Sequence, residues 1–112
     1  MHLDRISQYR IMWIMVFFDL PTDTKADRRR ATRFRNDLLQ DGFEMLQFSV
    51  YWRHCASKEN AEVHINRVKK ALPEYGKVGI LCITDKQFGN MQIFFNANSQ
   101  EKKNIPQQLE LF

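Results

Sequence analysis

The longest uninterrupted apolar run in the chain, Ile11 to Phe18, is hydrophobic at both parities and rich in β-formers. That is the pattern of a strand buried on both sides rather than one with a wet face. It predicts a central strand ending near Asp19, because Pro21 cannot extend a central ladder, while Thr22, Asp23 and Thr24 each offer a helix cap. From Lys25 to Gln40 the apolar residues Ala31, Phe34 and Leu38, with Leu39 at their edge, share one helical stripe, and Gly42 suits the C-terminal side of that helix. Phe43 to His54 alternates, Leu46, Phe48, Val50 and Trp52 at one parity and Met45, Gln47, Ser49 and Tyr51 at the other, which predicts one bent strand or two short ones. Ser57 caps a second helix running to about Leu72, with Ala61, Ile65, Val68 and Leu72 on one face, His64 flanking it and Pro73 helping to end it. Val78 to Thr84 and Met91 to Phe95 read as two further strands, antiparallel neighbours joined through Lys86 to Asn90.

Strand, helix, extended segment, helix, strand and strand place helices on one face of a mainly antiparallel sheet, an α+β, ferredoxin-like βαββαβ sandwich. A polar N-terminal extension, 1–10, precedes a single domain over 11–96, and 97–112 forms a polar linker followed by the alternating tail Gln107 to Phe112, which can add to an open sheet edge. Helices on one face leave the other bare. Because the first strand is apolar at both parities, Trp13, Met15 and Phe17, or their neighbours, would lie exposed there unless a second copy packs on them, and a two-fold dimer meets that need.

Charge adds a direction to this picture. The net charge of +4 favours a polyanionic partner only modestly, but six of the seventeen Lys and Arg residues, Lys25, Arg28, Arg29, Arg30, Arg33 and Arg35, fall inside eleven positions of the first helix, with only Asp27 to offset them there. At 100° per residue Lys25, Arg29 and Arg33 lie opposite the apolar stripe, so they form either a solvated helix face or a surface for phosphates. The two cysteines, Cys55 and Cys82, make neither a disulfide framework nor a paired metal site, and the polar start of the chain lacks the apolar core of a secretion signal. A reducing cytoplasm and no membrane partner are the expectation.

Most catalytic signatures are missing: there is no phosphate-binding glycine loop, no paired zinc ligands and no nucleophile elbow. His2, His54 and His64 stand apart without partner acids at an informative spacing and read as ordinary surface or edge histidines. Asp19 is the carboxylate to watch, since it immediately follows the central strand and would be held at the end of a rigid element. The plainer reading is a turn residue ahead of Pro21. One carboxylate leaves most of the coordination of a Mg²⁺ ion to water or substrate phosphate, but a two-fold axis near the strand end would make two carboxylates from one position. Such a shared ion suits hydrolysis of a phosphodiester.

Two segments carry a family resemblance. Val16-Phe17-Phe18-Asp19-Leu20-Pro21-Thr22-Asp23-Thr24, followed by the basic helix, and Gly42-Phe43-Glu44-Met45-Leu46-Gln47-Phe48-Ser49-Val50-Tyr51 closely resemble the CRISPR-associated protein two family, above all the form accompanying type II systems. The likeness extends in order from about Ile11 to Phe95 and includes Thr84-Asp85-Lys86-Gln87-Phe88. It implies a ferredoxin-like homodimer, a C-terminal strand that joins the partner subunit's sheet, and a role in spacer acquisition as an adaptor that bridges dimers of the CRISPR integrase and holds DNA. Asp19 matches the family's metal-binding aspartate, so the resemblance also implies an endonuclease using Mg²⁺ or Mn²⁺ shared across the homodimer, acting on DNA or RNA. Lys25, Arg28, Arg29, Arg30 and Arg33 are the expected nucleic-acid contacts. The alternative is a stand-alone endoribonuclease toxin of the virulence-associated D type, which has the same small dimeric fold. An RNA-recognition module is less favoured, since the glycine-aromatic strand signature of base stacking is missing.

Overall fold

Strand β1, Met12–Asp19, occupies the interior of the sheet as its two-sided apolar pattern predicts. In this computed structural model, which describes residues 11–95, the expected N-terminal extension, polar linker and C-terminal strand lie outside the described residues. After β1 the chain enters helix α1, Lys25–Gln40, through a reciprocal cap: the Thr24 side chain accepts from the Asp27 backbone N–H and the Asp27 carboxylate accepts from that of Thr24. The extended segment resolves into two short strands, β2, Glu44–Gln47, and β3, Val50–Cys55, separated by the two-residue turn Phe48-Ser49. Ser57 caps α2, Lys58–Lys70, which closes on Ala71, slightly before the expected end. Strand β4, Lys77–Thr84, completes a four-stranded antiparallel sheet in the order β2-β3-β1-β4, the ferredoxin-like arrangement.

Parity along β1 divides the core. Ile14, Val16 and Phe18 face α1 and α2 and pack with Phe34, Leu38, Phe43, Tyr51, Ala61 and Val68. Trp13 and Met15 point to the opposite face, where they join Trp52 and Phe88.

That second cluster corrects two expectations. Met91 to Phe95 forms no strand; the chain instead leaves β4 directly into a short helix α3, Asp85–Gly89, capped reciprocally by Thr84 and Gln87. The physical reason is local, because a Thr-x-x-Gln cap satisfies the first free backbone groups and turns the chain back over the sheet before a fifth strand can begin. Trp13 and Met15 are consequently not bare: the Phe88 ring stacks parallel on Trp13 at 3.7 Å, the Trp13 indole N–H donates to Asp85 at 2.7 Å, and Met91 and Ile93 pack beside them. The chain covers the lower half of its own outer sheet face. The upper half stays open: Phe17, opposite Gly79 in register, is 40% exposed, and Leu81, diagonal to it and across from Met15, is 47% exposed.

Candidate nucleic-acid and metal site

Asp19 closes the outer-face row Trp13, Met15, Phe17, Asp19, since alternate residues of a strand share a side of the sheet. Its carboxylate therefore belongs to the open half of that face, where it is exposed and, among the described residues, makes neither a hydrogen bond nor an ion pair. The backbone beneath it is tightly fixed. The Phe18 N–H donates to the Ser49 carbonyl at 3.0 Å, and the Phe18 ring meets Phe34 edge-on at 5.2 Å and Tyr51 at 5.6 Å. On the other side Gly76, at φ +101°, passes so close that a Cβ there would lie 2.7 Å from the Asp19 carbonyl oxygen and 2.7 Å from Leu20 Cδ2.

Two of these neighbours were not singled out from sequence. Gly76 precedes a strand, and a glycine at such a point signals close backbone approach. Lys77 is the cross-strand partner of Asp19 in the β1–β4 ladder, so its exposed side chain shares the outer face with that carboxylate. Only the register reveals this pairing.

Can these residues hold a divalent ion? No group of three or more His, Cys, Asp or Glu side chains capable of gathering a metal occurs among the described residues. One chain thus offers Asp19 alone. Mg²⁺ is commonly held by one or two carboxylates with water and substrate phosphate, so an unpaired, rigidly mounted carboxylate on a face open to a second copy fits that chemistry, whereas a closed structural metal cage does not.

The predicted phosphate-binding residues of α1 divide in two. Lys25, Arg29 and Arg33 are exposed on the stripe opposite Ala31, Phe34 and Leu38, without side-chain partners among the described residues. Arg28 and Arg30 are engaged by their own chain. Arg28 donates to the carbonyls of Thr22 at 3.0 Å and Asp23 at 3.4 Å, bracing the loop after Asp19. Arg30 pairs with Asp27 at 2.6 Å and lies over the Tyr75 ring at 5.0 Å. The Arg30 bond, with those from Thr24, holds the Asp27 carboxyl below the usual carboxylate range.

His64 departs from its expected surface role. It is 5% exposed, and its Nδ1 lies 2.8 Å from Oδ2 of Asp41, while Arg67 donates to Oδ1 at 2.7 Å. Burial alone would raise the Asp41 carboxyl, but the bonds from His64 and Arg67 and their charges outweigh it and leave the group below the usual range. Arg53 donates to the Asp41 carbonyl at 2.7 Å, so Asp41 ties the end of α1 to both α2 and β3. Burial pushes both thiols, Cys55 and Cys82, up, away from the thiolate a nucleophile requires. No helix among the described residues is long and apolar enough to cross a membrane.

Comparison with known proteins bears on the family. Residues 12–91 match the family model described as CRISPR associated protein Cas2. A CRISPR-associated endoribonuclease Cas2 from Flavobacterium psychrophilum is 56% identical over 111 residues, covering 99% of this chain and 96% of that protein. One of the same name from Parvibaculum lavamentivorans is 52% identical over 101 residues, covering 90% of this chain and 100% of its own, and one from Paracidovorax avenae is 46% identical over 107 residues, 96% of this chain and 99% of its own.

Proposed function

The chain belongs to the CRISPR-associated protein Cas2 family, and from that premise we propose that it works as a homodimer in spacer acquisition, holding DNA between integrase dimers, with an Mg²⁺- or Mn²⁺-dependent endonuclease site made by Asp19 of two copies. One observation carries this reading: Asp19 stands on the same open half-face as exposed Phe17 and Leu81. Packing that apolar strip against its two-fold copy removes it from water and brings the carboxylates at its end toward each other in the same act.

In this proposal Asp19 holds the ion through its carboxylate oxygens and Lys77 places a positive charge beside it for the phosphate. A bound Mg²⁺ supplies charge neutralisation and a water of lowered pKa. Gly76 and the Ser49 carbonyl fix the Asp19 backbone, which keeps the carboxylate in place without borrowing its oxygens. Lys25, Arg29 and Arg33 serve the second task, gripping a nucleic-acid backbone without reading bases.

The relatives' names make RNA the first substrate to try, with DNA beside it. Asp19→Ala is expected to abolish divalent-metal-dependent cleavage and leave the elution volume of the dimer unchanged. Cleavage persisting in the purified variant removes Asp19 from the site. The adaptor role is tested separately, by mixing the protein with the integrase and a duplex carrying short single-stranded ends. Elution as one complex is expected, and separate elution contradicts it.

A further inference from the structure

Phe48 is the most exposed large apolar side chain among the described residues, at 74%. It occupies the first position of the two-residue turn between β2 and β3, where polar residues and glycine ordinarily serve. The turn is not loose. Its other residue, Ser49, accepts the backbone bond from Phe18 at 3.0 Å, so the ring is mounted one peptide away from Asp19's own strand end. The Arg35 guanidinium lies over the ring at 5.0 Å. Arg35 has no acid paired with it among the described residues, and its Nε is buried with no hydrogen-bond partner.

We infer that Phe48 is a stacking platform for one unpaired base of a single-stranded nucleic acid, with Arg35 attracting the phosphate next to it. The inference rests on the proposed nucleic-acid role and extends it to a residue and a substrate form. A largely exposed phenyl ring lying against a cation can accept any base by its π-face, which makes the contact tolerant of sequence. A base inside a duplex is already stacked on its neighbours, so the platform selects unpaired strands. Its anchoring through Ser49 to Phe18 puts the stacked nucleotide at the same end of β1 as Asp19, beside α1 on the helix side of the sheet.

Binding of a labelled twelve-nucleotide single strand and of a blunt hairpin duplex, both without divalent metal, tests this on the full chain. Phe48→Ala is expected to weaken single-strand binding about tenfold and to change duplex binding less than about twofold, while Phe48→Tyr retains the ring and the affinity. Phe48→Trp adds a reporter, whose emission should be quenched by the single strand and not by the duplex. Equal single-strand affinity in wild type and Phe48→Ala overturns the inference, as does dissociation of the dimer by Phe48→Ala, which would make the ring a protein contact. The two readings fail separately: normal binding by Phe48→Ala with no cleavage by Asp19→Ala discards the platform and keeps the nuclease site, and the converse does the opposite.

Discussion

Replacing Gly76 by alanine tests how firmly the end of β1 is held. The new Cβ would stand 2.7 Å from the Asp19 carbonyl oxygen, 2.7 Å from Leu20 Cδ2 and 3.1 Å from Leu20 Cα, on a residue whose φ is +101°. The leucine methyl can swing aside; the carbonyl and the Cα cannot without moving β1. An unfavourable backbone conformation costs about 1–3 kcal/mol, and forcing atoms into filled space costs about 1–3 kcal/mol more, so the variant should lose about 2–6 kcal/mol. Each kilocalorie corresponds to about 4–8 °C in a domain of this size. Melting followed by circular dichroism should therefore fall by at least about 8 °C. Gly79→Ala is the control, since its Cβ would find only the Phe17 carbonyl oxygen at 3.9 Å, and it should melt close to the wild type. A Gly76→Ala protein melting within about 2 °C of wild type would refute the reasoning, and with it the claim that Gly76 sets the Asp19 backbone.

Other consequences are open to measurement. Phe34 is 1% exposed beneath Phe18, so Phe34→Ala should cost about 3–5 kcal/mol in denaturant unfolding; a loss under about 1 kcal/mol would mean that the helix layer does not pack on β1 as described. Asp41 has a depressed folded-state pKa, so its contribution is present above its unfolded value near about 3.9 and fades as the pH falls through the lower folded value. Wild type should accordingly exceed Asp41→Asn in stability at neutral pH and converge on it in strong acid, and a gap independent of pH would rule out the carboxylate's charge as the cause. Replacing Arg29 and Arg33 together by Gln should flatten the dependence of log affinity on log salt by about 0.9 for each lost phosphate contact, or roughly 3 to 4 units for four contacts in a dimer. An unchanged slope would make that helix face merely solvated.

How much of this could be read from the sequence follows from the range over which each signal acts. The apolar run of β1, the stripe of α1 and the Ser57 cap are local, and the elements they predict are present. The short helix α3 was equally local, since Thr84 and Gln87 carry the cap and Phe88 the anchor, but the β-forming residues beyond, Ile93 to Phe95, pulled the reading toward a strand. His64 and Asp41 are 23 positions apart and meet only when α2 packs on the end of α1, so nothing in their spacing announces the pair. Asp19 is singled out from sequence because the end of a central strand is a position that a sequence does mark, and the structure places it at the end of β1. Lys77 beside it is not singled out, because its place depends on the register of β4 against β1. The basic helix was legible as a whole. Which of its arginines serve their own chain, Arg28 for the loop carbonyls and Arg30 for Asp27 and Tyr75, is decided by three-dimensional neighbours.

The central proposal is that one ion belongs to two chains through a single aspartate. Titrating Mn²⁺ into the purified protein by calorimetry, alongside sedimentation to give the oligomeric state, measures this most directly. The account predicts a dimer binding one Mn²⁺ for every two chains, with that binding lost and the dimer retained in Asp19→Ala. One ion bound per chain, or undiminished binding by Asp19→Ala, would contradict it.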